Sequence, residues 1–268
     1  MTRRRTPQPG DGRVSNSAWH LYDGLLLSGK PSLTSAGVHL MDVAYPQEWF
    51  PGDRSGFVGA TELNTIADAW AALPAGTPCC VDIESWSIDP NGAYITQYQG
   101  LEKYVDVSRR LIQRAPSVHF GFFGLMPFND IDNVTYSQNQ DGDAVRKSAQ
   151  WAANAQMVAV LDQFVRVNFP AAYFFAGATL AQWQESFRQT MTYARGYNSS
   201  MPVYPFISPY LADAHTVAIS ANDWRAILEA CWAYADGAVL WSNGLVAWDA
   251  TAAWWMETQS FMRDRGVV

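Results

Sequence analysis

Apolar positions in this chain fall in short runs bounded by Gly and Pro, and longer stretches with apolar residues at helical spacing lie between them. The runs at 19–27 (WHLYDGLLL), 38–45 (VHLMDVAY), 79–86 (CCVDIESW), 118–125 (VHFGFFGL), 170–175 (PAAYFF), 202–207 (PVYPFI) and 237–241 (GAVLW) predict strands. Helical spacing predicts helices over 61–73 with Thr61 as N-cap, over 95–114 ended by Ala115-Pro116, and over 144–164. Three more are predicted over 179–195, over 220–234 with Ser220 as cap, and over 249–263. A polar loop rich in Asn, Asp and Gln occupies 129–142.

Strand and helix alternate with no internal linker, which predicts a parallel α/β architecture. The chain has 268 residues, room for one barrel. The expected fold is a single irregular (β/α) TIM-type barrel with seven or eight parallel strands over 16–268, behind a flexible leader at 1–15. No G-x-G-x-x-G follows the first strand and no G-x-x-x-x-G-K-[ST] occurs, so a nucleotide cofactor is not expected.

Composition narrows the chemistry. Apolar residues make up 49% of the chain and charged residues 16%, which predicts a large core. Twelve Trp, twelve Tyr and thirteen Phe exceed what a chain of this length usually carries; most are expected in the core, and the remainder offer flat faces for sugar rings. A net charge of −7 argues against a nucleic-acid partner. The chain has no apolar run long enough for a membrane span, and residues 1–15 lack the apolar segment of an export signal. Cys79, Cys80 and Cys231 do not form a disulfide framework, and the four His (20, 39, 119 and 215) are scattered, so no metal is called for.

The segment 79–89, CCVDIESWSID, places two acids inside an apolar strand. By strand alternation Asp82, Glu84 and Trp86 share one face and Val81 and Ile83 the other. Val81 and Ile83 suit the surrounding helices, so the acids point into the barrel, Glu84 nearer the mouth and Asp82 one layer deeper. Active sites of such barrels lie at the C-terminal ends of the strands. Few Lys or Arg are at hand to neutralise the pair, and two close buried carboxylates favour one shared proton, the arrangement of a general acid poised near neutral pH. With many aromatics and no phosphate motif, that chemistry points to glycosidic-bond cleavage. The two Cβ atoms stand roughly 6.5–7 Å apart along a strand, between the spacings of retaining and inverting pairs, so the stereochemistry stays open at this point.

Four segments, in order, resemble the hyaluronidase-type glycoside hydrolases: VDIESW (81–86), FGFFGLMPFND (120–130), FPAAYFFAG (169–177), and PVYPFI (202–207) followed by ADGAVLWSN (235–243). The resemblance implies a barrel glycosidase with Glu84 as proton donor and Asp82 orienting the substrate's 2-acetamido group, whose carbonyl oxygen is the nucleophile. It further implies retention of configuration, Tyr173 supporting the acetamido group and Trp241 walling the N-acetylhexosamine subsite. Trp86, Phe123 and Asn129 complete the expected sugar-binding set. The family's penultimate-strand tyrosine falls nearest Phe206, which leaves Tyr204 or Tyr210 to supply its hydroxyl, and Gly177 stands where the family usually has an acid. The expected partner is a polysaccharide or oligosaccharide, with action outside the cell suggested by that substrate class.

Two other readings share the scaffold: a lysozyme-like muramidase and a non-catalytic carbohydrate-binding protein. Among secondary candidates, Asp42 is read either as a third interior acid near Asp82 or as a strand-end acid bonded to backbone, and Asp23 as a turn residue before Gly24. Trp254 and Trp255 are expected to pack in the core, Trp248 to serve as a sugar platform, and Asn129, Asp130 and Asp132 to form a substrate rim.

Overall fold

The computed structural model describes residues 19–86, 94–126 and 159–267. The leader, the polar loop at 129–142 with Asn129, Asp130 and Asp132, and most of the helix expected at 144–164 lie outside the described residues. In chain order the strands are β1 (His20–Leu25), β2 (His39–Leu40), β3 (Asp42–Ala44), β4 (Pro78–Val81), β5 (His119–Phe122), β6 (Phe206–Ile207), β7 (Tyr210–Leu211), β8 (Ala214–Ala218) and β9 (Gly237–Ser242). The α-helices are α1 (Pro46–Trp49), α2 (Ala60–Ala71), α3 (Tyr94–Arg114), α4 (Leu180–Tyr197), α5 (Ala221–Tyr234) and α6 (Ala253–Arg265).

Parallel pairing runs round a ring. One sheet has the order β2-β1-β9-β6 and another β3-β4-β5. The two meet where the run at 38–45 changes partner: β2 pairs with β1, and β3, one residue further on, pairs with β4. On the opposite side the segment 168–171 carries the ring, through single parallel bridges from Phe169 to Phe123, Asn168 to Val203 and Ala171 to Phe206. The expected strand at 170–175 is therefore a bridging segment, displaced toward 168. Pro170 and Pro205 have no N–H to donate, which limits how much ladder this side can form. Gly121 allows the approach: a Cβ there would lie 2.0 Å from the Val167 carbonyl oxygen.

Side chains sort by strand parity. Cys79, Val81 and Ile83 face α2 and α3 with Leu63, Trp70 and Leu111, whereas Cys80 faces the interior with Tyr22, Met41, Phe169, Phe206 and Val239. A second outer core joins β1, β6 and β9 to α4, α5 and α6. Trp49, Trp70, Trp183, Trp224 and Trp254 are fully buried, so much of the aromatic excess is structural. Several of their indoles close backbone or side-chain polar groups: Trp49 Nε1 donates to the Ala44 carbonyl and Trp183 Nε1 to that of Ala172. Trp255 is buried as well, and Trp248 packs against the same core.

Local signals set most helix starts. Thr179 and Gln182 form a reciprocal capping box on α4, and Ser220 Oγ accepts from Asp223 N on α5. Thr61 is not the cap of α2; Gly59 takes that position, and Thr61 is the second helical residue. Asp42 also departs from the interior reading. It turns outward and accepts a 2.6 Å hydrogen bond from Trp70 Nε1. Asp23 lies within β1, ion-paired with Lys30, rather than in a turn.

Two glycines separate close approach from mere conformational freedom. Gly121→Ala is expected to destabilise by several kcal/mol, because the methyl group collides with backbone, whereas Gly196→Ala on the exposed end of α4 meets nothing and gains about 0.5–1 kcal/mol. Denaturant unfolding of both variants checks the pair of signs.

Candidate active site

The acids occupy the exit of β4. That strand ends at Val81, so Asp82 and Glu84 lie on the segment that leaves the barrel rather than within the ladder. Two hydrogen bonds carry the register just past the strand end: Asp82 N donates to the Ala44 carbonyl at 3.0 Å and Phe123 N to that of Val81 at 3.0 Å. Alternation persists to residue 84, with Ile83 in the outer core, Asp82 half-buried and Glu84 exposed.

It then fails. Trp86 swings to the helix side, where it packs edge-on against Phe50 and Tyr104 and donates from Nε1 to the Arg54 carbonyl. The expectation that Trp86 shares a file with the acids is corrected accordingly. The Tyr104 hydroxyl of α3 donates to the carbonyl of Ile83 at 2.7 Å and reaches that of Trp86 at 3.2 Å, pinning the turn on both sides of Glu84.

A bowl of about 220 Å³ opens above the acids, lined by Asp82, Glu84, Phe123, Tyr173, Phe175, Phe206, Ser208, Ala212, His215 and Trp241. Its aromatic wall is continuous. Trp241 and Tyr173 lie 5.3 Å apart at 38°, Tyr173 and Phe123 6.1 Å at 33°, and Phe123 meets Phe206 edge-on at 5.0 Å. Tilted aromatic faces beside two carboxylates make a surface suited to a sugar ring. A larger, shallow depression between α4 and α5 contains the Glu185–Arg188 and Arg225–Glu229 pairs, whose charges already answer one another.

Burial raises the Asp82 carboxyl to about 7, Glu84 adds to the rise, and Arg54 opposes it. Its Oδ1 is buried without a hydrogen-bond partner among the described residues. Burial, then Asp82, Tyr45 and Glu84, push the Tyr173 hydroxyl well above its ordinary range, as expected for a phenol set among acids. The Cys80 thiol, directly below on the interior face, is raised by burial first and by Asp82 next.

Tyr204 and Tyr210 are not at this bowl. Tyr204 lies at the opposite, N-terminal end of the barrel, its ring 4.8 Å from Tyr22 and close to Gly237. Tyr210 belongs to the outer core beside Trp254. Neither supplies the hydroxyl that Phe206 lacks. Asn129 lies outside the described residues.

Two groups at the site were not singled out from the sequence. Tyr45 directly follows β3; burial raises its hydroxyl first, Trp241 opposes the rise, and Cys80, Asp82 and Glu48 add to it. Its place at the end of the strand neighbouring β4 is the signal that a register argument could have used. His215 comes from β8, which pairs antiparallel with β7. The hairpin is tied to the loop after Tyr173 by Ala176 N donating to Asp213 and Ala212 N to the Phe174 carbonyl. Apolar residues on both sides of the Ala-Asp-Ala break, YLADAHTVAI, carried that signal.

No family model matches the sequence, and no curated protein matches it. Among solved structures, bee venom hyaluronidase is similar at 13% identity, covering 93% of this chain and 98% of that one with a TM-score of 0.61. The same enzyme in complex with a hyaluronic acid tetramer gives 14% identity, the same coverages and a TM-score of 0.62. A GH18 chitinase from Pseudoalteromonas aurantia has 12% identity, coverages of 85% and 78%, and a TM-score of 0.47. The likeness to the bee enzyme is one of fold: the chain is an α/β barrel of that type.

Asp82 makes stability depend on pH in a defined direction. Folded, it keeps its proton to about pH 7; unfolded, it loses it near pH ~3.9. Between those values the folded chain binds the extra proton, so this group's contribution is fully present below the lower value and is lost as pH rises through the upper one. Asp82→Asn is therefore expected to gain about 1–3 kcal/mol in urea unfolding near pH 8 and little near pH 4. An equal effect at both pH values would contradict the assignment.

Proposed function

We propose that this chain is a glycoside hydrolase that cleaves a polysaccharide internally at an N-acetylhexosamine, with retention of configuration through substrate assistance. The observation that carries the reading is the paired carboxylates at the C-terminal end of β4: one half-buried, raised to about 7 and lacking a partner for Oδ1 among the described residues, the other exposed at the same aromatic bowl. The fold shared with bee venom hyaluronidase, which has been solved with a hyaluronic acid tetramer, supports the substrate class.

In this proposal Glu84 protonates the departing glycosidic oxygen while the acetamido carbonyl oxygen attacks C1 from the other face. The glycosidic C–O bond breaks as the new C–O bond forms, giving a cyclic oxazolinium. Glu84, now a carboxylate, takes a proton from water as that water opens the ring. Asp82, in its ionised form above about pH 7, accepts a hydrogen bond from the acetamido N–H through the oxygen that has no partner among the described residues, and its charge then offsets the positive charge developing on the ring nitrogen. The Tyr173 hydroxyl holds the same group, and Trp241 lies beneath the sugar. Action outside the cell belongs to this proposal through the polymeric nature of the substrate.

Phe206 favours one rival. Without a hydroxyl at this position, or one brought to it by Tyr204 or Tyr210, a sugar-binding protein that does not cut is the second reading. A reducing-end assay over hyaluronan, chondroitin, chitin and peptidoglycan separates the two. Cleavage by the wild type with a loss of about 10²–10⁴-fold in kcat for Glu84→Gln is the expected result. Glycan binding without cleavage supports the rival, activity on peptidoglycan alone supports a muramidase, and an unimpaired Glu84→Gln removes Glu84 from the mechanism.

A further inference from the structure

The end of the barrel opposite the acids carries a second cluster of ligand-type side chains. His20 opens β1 and His39 opens β2, and the parallel register sets Tyr22 against His39. His20 and Tyr22 share a strand face, so both imidazoles stand with Tyr22 at the N-terminal opening. Their nitrogens, His20 Nδ1 and His39 Nε2, are 3.1 Å apart, with ring centroids 4.4 Å apart at 70°. Tyr22 lies 6.0 Å from each ring and 4.8 Å from Tyr204, an aromatic bracket that limits rotation of the pair.

We propose that His20 and His39 form a binding site for a divalent ion of the zinc, nickel or copper class at the N-terminal end of the barrel. Two metal–nitrogen bonds of about 2.0–2.1 Å span the observed 3.1 Å when they meet at roughly 100°, between the tetrahedral and octahedral angles. The same separation fits an N–H···N hydrogen bond between neutral rings, so binding requires that proton to move to the other nitrogen of its ring, which leaves both facing nitrogens with lone pairs for the ion. His39 is exposed and His20 half-buried, which leaves room for water to complete the coordination shell. Among the described residues no group of three or more His, Cys, Asp or Glu is gathered, so the protein supplies two ligands and the affinity is modest.

Imidazole pairs select borderline ions over magnesium and calcium, which want oxygen. No carboxylate is bonded to either imidazole among the described residues. The site is independent of the proposed glycosidase chemistry at the opposite end.

Calorimetric titration of the tag-free chain with Zn2+ and with Ni2+ tests the proposal, together with the shift in Tm. One ion per chain, a rise of about 5 °C in Tm at saturation and no competition from Mg2+ are expected. His39→Ala should weaken binding by at least about tenfold, and so should His20→Gln, while Asp82→Asn leaves it unchanged. If His39→Ala does not fold, His39→Gln replaces it, with circular dichroism as the control. Absence of binding to the wild type, binding undiminished in the histidine variants, or binding abolished by Asp82→Asn overturns it.

Discussion

A carboxylate taken out of water at the mouth of a barrel constrains nearly everything around it. Asp82 can stay there because the ring of strands lets it hold a proton to about pH 7, and because the alternation of β4 keeps Cys80, Asp82 and Glu84 on the opposite face from Cys79, Val81 and Ile83. The three outward residues are closed over by α2 and α3, so the strand cannot turn about its axis to release the acid without exposing them. The hydrophobic core thus enforces an electrostatically unfavourable placement, a cost in stability that a binding or catalytic site can justify.

Control of Glu84 comes from elsewhere. It is exposed and past the end of the ladder, so strand geometry no longer fixes it. Tyr104, reaching from α3 to the carbonyls of Ile83 and Trp86, and the Arg54 carbonyl, receiving Trp86 Nε1 and Ser85 Oγ, hold the turn that presents it. Trp86 therefore contributes to the site through the backbone, by anchoring the segment from behind.

The alternation of strand and helix made the barrel legible, and parity along CCVDIES placed Cys79 and Cys80 on opposite faces and turned Asp82 toward the bowl. Parity failed at Trp86 because the strand ends at Val81, five residues earlier than the apolar run suggests; a run of apolar residues does not show where hydrogen bonding stops. Asp42 misled because an acid on a strand can be satisfied by an indole on a helix 28 residues away, a pairing that local sequence does not carry. The β7–β8 hairpin, and His215 with it, was missed because two short antiparallel strands interrupt an otherwise parallel alternation. Tyr204 and Tyr210 are each within four residues of Phe206, yet one points to the barrel floor and the other to the outer core, since a two-residue strand followed by a turn scatters its neighbours.

Between its two polar ends the barrel is filled by Met41, Val167, Phe169, Phe206 and Val239, with Cys80 beneath the acids. This layer does more than fill space. Its residues are apolar and buried, so they shield Asp82 from below and the Tyr22–Tyr204 pair from above. The direct consequence is visible in the phenols: burial is the first cause of the raised Tyr22 and Tyr204 hydroxyls at one end, as it is for Tyr173 at the other. The apolar layer also separates the charged neighbours of the two ends: Asp82 and Glu84 raise Tyr173 at the mouth, and Asp236 adds to the rise of Tyr204 at the base. One barrel therefore places a carboxylate pair at its mouth and a histidine pair at its base, with this apolar layer between them.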